Sequence, residues 1–319
     1  MTMARVLITD CDHGFYDPER EVAAERGTEL DIADGDRQRI LTLGESADAI
    51  LCQYVRVDGE LLDGAPRCRV VGRYGVGLDN VDLEACAERG IEVVNVPDFC
   101  VDEAADHALA LALSVTRRIT PLDRAWRANP AGFAERWSER FDLLEGVERS
   151  SHQRFGIVGF GRIGQALSRR AGACGFEVVA HDPIVAVDTA GALAVGLDEL
   201  LSTSDVVALC LPLTPESERM IDERALGLMK PGSVLVNTAR GALVDEDALA
   251  DALERGRPGF AALDVFQDEP LPPGHRLFEL PNVVLTPHVA FFSRTSLLDL
   301  KHRAMSLVLD ALERVAAAP

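Results

Sequence analysis

Short apolar runs and amphipathic stretches take turns along the chain. In the first 95 residues, the runs at 4–9, 29–32, 48–52, 69–73 and 91–95 predict strands, and the stretches at 18–26, 59–62 and 79–89 predict helices. Alternation of this kind is the mark of a parallel open sheet. Val96-Pro97-Asp98 breaks the pattern. Residues 101–119 then read as one long helix, apolar on nearly every side from Ala104 to Val115, which predicts burial all round it. Residues 121–151 are polar, with Trp126, Phe133, Trp137 and Phe141 spaced along them, and read as helical turns and loop. From 155 the alternation resumes, with strands at 155–158, 177–180, 204–209, 233–237, 259–265 and 282–285. Helices are predicted at 163–174 and 246–255, and a final amphipathic helix at 294–315. The expected fold class is α/β, with two doubly wound parallel-sheet domains.

One stretch carries a nucleotide signature. Phe155, Ile157 and Val158 lead into Gly159-Phe160-Gly161-Arg162-Ile163-Gly164, a helix follows, and the next strand ends at Asp182. A G-x-G-x-x-G turn alone is a weak signal. Strand before, helix after and an acid about 20 residues on make it a Rossmann-like one. Gly159 allows the tight turn, Gly161 lets backbone approach a pyrophosphate, and Gly164 lets the helix lie close to its strand. The helix N-terminus offers unpaired N–H groups to the pyrophosphate. Asp182 accepts hydrogen bonds from a ribose diol and repels a 2′-phosphate, which favours NAD over NADP.

Composition narrows the partners. The net charge of −20 makes nucleic acid and anionic membrane poor ones. No apolar run reaches membrane-spanning length. The N-terminus lacks the basic and apolar regions of a signal peptide and reads as a first strand. Seven cysteines stand without C-x-x-C spacing, so reduced thiols in a cytoplasm are expected, and no metal site.

In open parallel sheets, ligands bind at the carboxyl ends of strands. There lie Gly159–Gly164, Asp182, Leu211, Pro212 and Thr214, then Thr238, Ala239 and Arg240, then Asp264 with Glu269, and His288. A histidine gives a proton to a carbonyl oxygen as hydride arrives, a carboxylate holds the imidazole and favours its cation, and arginine grips a substrate carboxylate. Taken singly, each has a structural explanation. His288 can bond a loop carbonyl, Arg240 can pair with Asp245, and Glu269-Pro270 can be an ordinary turn. Jointly, their spacing favours catalysis.

Three segments carry a resemblance: Val236-Asn237-Thr238-Ala239-Arg240-Gly241, Ala262-Leu263-Asp264-Val265-Phe266 with Glu269-Pro270, and Thr286-Pro287-His288. They resemble the signature segments of the D-isomer-specific 2-hydroxyacid dehydrogenases. Gly75-Val76-Gly77-Leu78-Asp79-Asn80 and Asn95-Val96-Pro97 match too, so the likeness covers residues 70–300. The run His288-Val289-Ala290-Phe291-Phe292-Ser293 is most similar to the branch of the C-terminal-binding-protein corepressors. The resemblance implies Rossmann-like and flavodoxin-like domains with a cleft between them. Residues 98–289 would be an inserted NAD-binding domain, and residues 1–97 with 290–319 a substrate-binding domain. It implies His288 as acid/base, Glu269 as its partner and Arg240 on the substrate carboxylate. The backbone of Val76 and Gly77 would hold that carboxylate. Asp264 would hold the nicotinamide carboxamide, flanked by Thr238 and Ala239, with Cys100 nearby. Arg73, Gln53, Tyr54 and Phe291 would line the substrate pocket. It also implies a homodimer built around an arm at 101–150.

Departures bear on the substrate. The usual Gly-Lys before the first cofactor strand is absent from Arg149–Gly156, Phe291 replaces a tryptophan, and Cys100 replaces a small polar residue. No regulatory domain follows the last helix, which weighs against the long phosphoglycerate dehydrogenases. The expected function is hydride transfer between NAD(H) and C2 of a small 2-oxo or D-2-hydroxy acid. Alternatives are oxidation of a small oxyanion such as phosphite, and an NAD-sensing, corepressor-like binding module.

Overall fold

The computed structural model describes residues 3–187 and 190–317. The chain divides into two compact units, Met1–Phe99 with Ser293–Pro319, and Cys100–Phe292. Both are α/β with an all-parallel sheet.

The first unit holds β1 (Arg5–Ile8), β2 (Glu29–Ile32), β3 (Ala49–Cys52), β4 (Val70–Arg73) and β5 (Glu92–Val94). Their order is β2-β1-β3-β4-β5. Every residue of β3 is buried, as a central parallel strand covered on both faces requires. The chain's far end returns here as the Arg294–Ala317 helix, which packs on β3, β4 and β5. Gly72 makes room for it, since a Cβ there would stand 2.3 Å from a methyl of Val308.

The second unit holds β6 (Arg154–Val158), β7 (Glu177–His181), β8 (Leu193–Ala194), β9 (Val206–Leu209), β10 (Val234–Asn237), β11 (Phe260–Leu263) and β12 (Val283–Leu285). Their order is β12-β11-β10-β9-β6-β7-β8. The direction of winding reverses between β6 and β9, where such sheets bind ligands. Alternate residues feed two cores. Phe155, Ile157, Ala208 and Val236 join Ala105, Ala108 and Leu167 on one face. Val158, Leu209, Leu235 and Leu263 join Leu200, Leu249 and Leu253 on the other.

Part of the acidity is local structure. Asp36, Asp58, Asp82, Asp222 and Asp245 each accept the backbone N–H three residues on and so start a helix. Asp245 also pairs with Arg219 and not with Arg240. Three short helices answer no expected element. Arg37–Gly44, Leu197–Thr203 and Glu223–Leu228 are short and carry few apolar residues. The long helix also differs from expectation. It ends at Thr116, Arg118 turns left-handed at φ 57°, and a new helix runs Ile119–Ala128. Its burial is a stripe of Ala104, Ala105, Ala108, Leu111, Ala112 and Val115, with Asp106 and Ala110 exposed. Alanine fills much of it, and alanine tolerates either environment, so apolarity all round overstated its burial.

Candidate active site

The candidate catalytic groups all belong to the second unit, on the turns that follow β10, β11 and β12. Asn237 closes the first of these strands and is 1% exposed. Its Oδ1 accepts the N–H of Ala239 at 3.0 Å, and its Nδ2 donates to the carbonyl of Arg240 at 2.8 Å. That side chain shapes the turn presenting Thr238, Ala239 and Arg240, all half-buried. Gly241 comes next. A Cβ there would lie 1.8 Å from the carbonyl carbon of Phe266. The turn after β10 therefore rests directly on the backbone after β11.

Glu269 stands on that second turn. Its Oε1 accepts the N–H of Phe266 at 2.9 Å, and its Oε2 meets Nδ1 of His288 at 2.6 Å. Burial alone would push this carboxyl up. The bond to His288, the imidazole's charge, the Phe266 N–H and the Arg240 charge outweigh it and hold the group below the usual glutamate value. Arg240, Glu269 and His288 thus form one electrostatic unit.

His288 sits at φ 51°, a backbone region that residues other than glycine rarely adopt. Asp264 moulds that turn. Its carbonyl accepts the N–H of His288 at 2.7 Å, its Oδ1 the N–H of Val289 at 3.0 Å, and its Oδ2 the N–H of Ala290 at 2.8 Å. The Thr286 hydroxyl donates to Oδ1 as well. Asp264 is 0% exposed. Its carboxylate accepts from three neighbouring groups, and these bonds brace the histidine turn.

The glycine turn lies at the reversal between β6 and β9. Gly159 has φ +92°, and a Cβ on it would stand 2.5 Å from the carbonyl oxygen of Cys210. On Gly164 a Cβ would stand 2.2 Å from the oxygen of Gly159. On Gly161 it would meet nothing within 4 Å. Two glycines are thus demanded by packing, and the middle one opens onto free space at the head of the Arg162–Ala173 helix. Phe160 is completely buried, and its N–H goes to Asp182 Oδ2 at 2.7 Å. That bond ties the glycine turn to Asp182. Asp182 Oδ1 accepts Ile184 and Val185 N–H groups, both at 2.8 Å. Partial burial raises the Asp182 carboxyl, but these backbone bonds outweigh it and keep the group below its ordinary value. It is a fixed negative charge with one lone pair to spare, since a carboxylate offers about four acceptor positions. The Leu211–Thr214 loop at the end of β9 is knitted by Ser217, whose hydroxyl donates to the Pro212 carbonyl at 2.9 Å. Cys100 caps the Val101–Thr116 helix in a left-handed conformation, φ 52°.

Residues 109–290 match the family model for the D-isomer specific 2-hydroxyacid dehydrogenase, NAD binding domain. The chain belongs to the D-isomer-specific 2-hydroxyacid dehydrogenase family. It is 42% identical over 277 residues to a D-3-phosphoglycerate dehydrogenase of Mycobacterium leprae, covering 85% of this chain and 51% of the relative. It is 42% identical over 242 residues to a glyoxylate reductase of Thermococcus litoralis, covering 73% and 71%. Among solved structures, a D-lactate dehydrogenase from Aquifex aeolicus complexed with NAD and lactic acid superposes with a TM-score of 0.82. It is 28% identical and covers 97% of this chain and 95% of that one. The chain spans about half the length of the phosphoglycerate dehydrogenases it matches. NAD is the family's cofactor, and the open face of Gly161, the helix N-terminus beside it and the charged Asp182 fit it.

The remaining expected residues belong to the first unit, Phe291 excepted. Val76 is 39% exposed, and Asn95 donates to its carbonyl at 2.6 Å, fixing the turn through Gly75 and Gly77. Tyr54 is exposed and its N–H bonds Asp10. Gln53 is 5% exposed, and its amide bonds Asp12 in both directions, at 3.0 and 2.7 Å. It holds two loops together. Arg73 is half-buried beside the Gly75 turn. Phe291, in the second unit, sets its ring edge-on to His288, 6.2 Å between centroids. The signature reading passed over Asn237 and Thr286 as site residues and missed His107 altogether. Thr286 and His107 gain their meaning only from contacts 22 and 179 residues away. Among the described residues, no cluster of histidine, cysteine or carboxylate side chains suits a metal ion, and no helix is long and apolar enough to cross a membrane.

Proposed function

We propose that the chain catalyses NAD(H)-linked interconversion of a small 2-oxo acid and its D-2-hydroxy acid. The observation that carries the proposal is the 2.6 Å contact between His288 Nδ1 and Glu269, on a carboxylate that also feels the Arg240 charge. An ionised carboxylate only accepts, so Nδ1 carries a hydrogen toward Glu269 and Nε2 is left as the working nitrogen. NAD, when bound, supplies or takes up the hydride. In the reducing direction His288 gives a proton to the carbonyl oxygen, and in the oxidising direction it removes one from the hydroxyl. Glu269 keeps the ring oriented and favours its cation. Arg240 grips the substrate carboxylate with its planar fork and polarises the carbonyl. Thr238, Ala239, Leu211, Pro212, Thr214 and Cys100 border the cofactor, and Asp182 selects NAD over NADP. Val76, Gly77, Arg73, Gln53, Tyr54 and Phe291 are the substrate-binding candidates. We further infer a homodimer and, from seven free cysteines, a cytoplasmic setting.

A scan of glyoxylate, pyruvate and 3-phosphohydroxypyruvate with NADH tests the reading, following NADH absorbance. At least one is expected to turn over, and His288→Ala to slow it by about 10²- to 10⁴-fold. NADH binding without turnover of any of these or related oxo acids would remove the activity. Unchanged turnover in His288→Ala would remove the histidine from its role.

A further inference from the structure

We propose that His107 is a positioning residue for His288. It lies on the Val101–Thr116 helix, beside the buried alanine stripe, with a quarter of its side chain exposed. Its Nε2 is 3.0 Å from the hydroxyl of Thr286 and 3.5 Å from Oδ1 of Asp264. The direction of this chain is fixed by chemistry. The Asp264 carboxylate accepts only, so the Thr286 hydroxyl must donate to it. The Thr286 oxygen is then left to accept, so Nε2 of His107 must carry the hydrogen. One tautomer of His107 thereby orients one hydroxyl, which satisfies one buried carboxylate.

That carboxylate is the mould of the catalytic turn. It takes the N–H groups of Val289 and Ala290, while the Asp264 carbonyl takes that of His288, which sits at φ 51°. A left-handed residue persists only when its surroundings over-determine it. His107 supplies one of those constraints from another element. The chain ends at Asp264 and reaches His288 only through backbone. It is therefore no proton wire, and His107 acts on geometry alone. Small displacements of a reacting group cost about 10²-fold in rate for an ångström.

The kinetic arm of the test rests on the dehydrogenase reading, and a second arm does not. His107→Leu removes the donor and keeps volume. Its kcat is expected to fall about 10- to 100-fold with the KM for NADH unchanged within twofold. His107→Gln places an amide N–H near the same point and should restore most of the loss. Thr286→Val cuts the same chain, so the double variant should fall little further than either single one. Independently of turnover, histidine-ring NMR of the protein without substrate should show the His288 resonances moved in His107→Leu and returned in His107→Gln. The proposal is overturned if the His288 resonances stay put in His107→Leu, or if the two single losses multiply in the double variant. If the unmodified protein reduces no oxo acid, the activity reading fails, and the NMR arm alone decides the role of His107. Should His107→Leu not fold, His107→Gln and Thr286→Val carry the same two readouts.

Discussion

At the scale of single residues, Gly241 is the least replaceable position in the candidate site. A Cβ there meets backbone, not a flexible side chain, at 1.8 Å from Phe266. Gly241→Ala must therefore push the Arg240 turn and the Glu269 turn apart. A loss of about 1–3 kcal/mol is expected from overpacking. A further drop of about 10²-fold in kcat follows if the separation nears an ångström. Gly172 is the control: exposed, helical, and with nothing within 4 Å of a Cβ. Gly172→Ala should leave the rate alone and stabilise by up to about 1 kcal/mol. Urea midpoints and steady-state rates of the two variants check this, and equal effects would refute it. Glu269 allows a pH test. Its folded pKa is depressed below the ordinary 4.5, chiefly by His288 once burial is overcome. A depressed carboxyl contributes stability in full above its unfolded pKa, and that contribution is lost as pH falls through the folded one. The denaturation-midpoint advantage of the native protein over Glu269→Gln should hold level on descent to pH 4.5 and shrink only below it. An advantage that vanishes well above that pH contradicts the assignment.

At the scale of elements, the two ends of the chain are joined by a buried ion pair. Lys301, on the Arg294–Ala317 helix, and Glu19, on the Asp17–Glu25 helix, are both 0% exposed and 2.8 Å apart. Lys301 also donates to the Phe15 carbonyl, and Tyr74 donates to Glu19 at 2.7 Å. Removing one partner leaves an uncompensated buried charge. Lys301→Met should cost about 3–5 kcal/mol, and adding Glu19→Leu should recover much of it. A single-variant loss below about 1 kcal/mol in chemical denaturation would mean the pair contributes nothing measurable. Nothing in the local pattern announces this pair, because its members are 282 residues apart. The same distinction governs what was legible. Strand runs such as Phe155–Val158 and the glycine turn are local signals, and they stood where the periodicity put them. The helices Arg37–Gly44 and Glu223–Leu228 were invisible because each buries only two residues. Arg240, Glu269 and His288 were legible as motif positions. The buried states of Asp264 and Gln53 were not, since burial depends on which distant groups close over a side chain.

At the scale of the molecule, half of the exposed large apolar side chains among the second unit's described residues lie in one stretch. Ile119, Trp126, Trp137, Phe141 and Leu143 are 44–60% exposed, all between 119 and 143. Trp126 stacks on Phe133 at 6.1 Å and meets Trp137 edge-on at 6.0 Å, so the aromatics form a cluster and not scattered side chains. Single exposed apolar residues need no explanation, whereas a clustered patch on a protein of net charge −20 does. Charge at this level favours keeping copies apart, so association requires a patch that concentrates apolar area and excludes like charge. Trp and Phe side chains supply that area with few rotatable bonds. The proposed homodimer is therefore expected to depend on this arm. Light scattering should give twice the monomer mass for the native chain and a shift toward monomer in the Trp126→Glu, Phe141→Glu variant. NADH affinity should stay within about twofold in that variant, because the glycine turn and Asp182 lie in a different part of the sequence. A native monomer would end the dimer proposal, and an unshifted dimer in the variant would move its interface away from the arm.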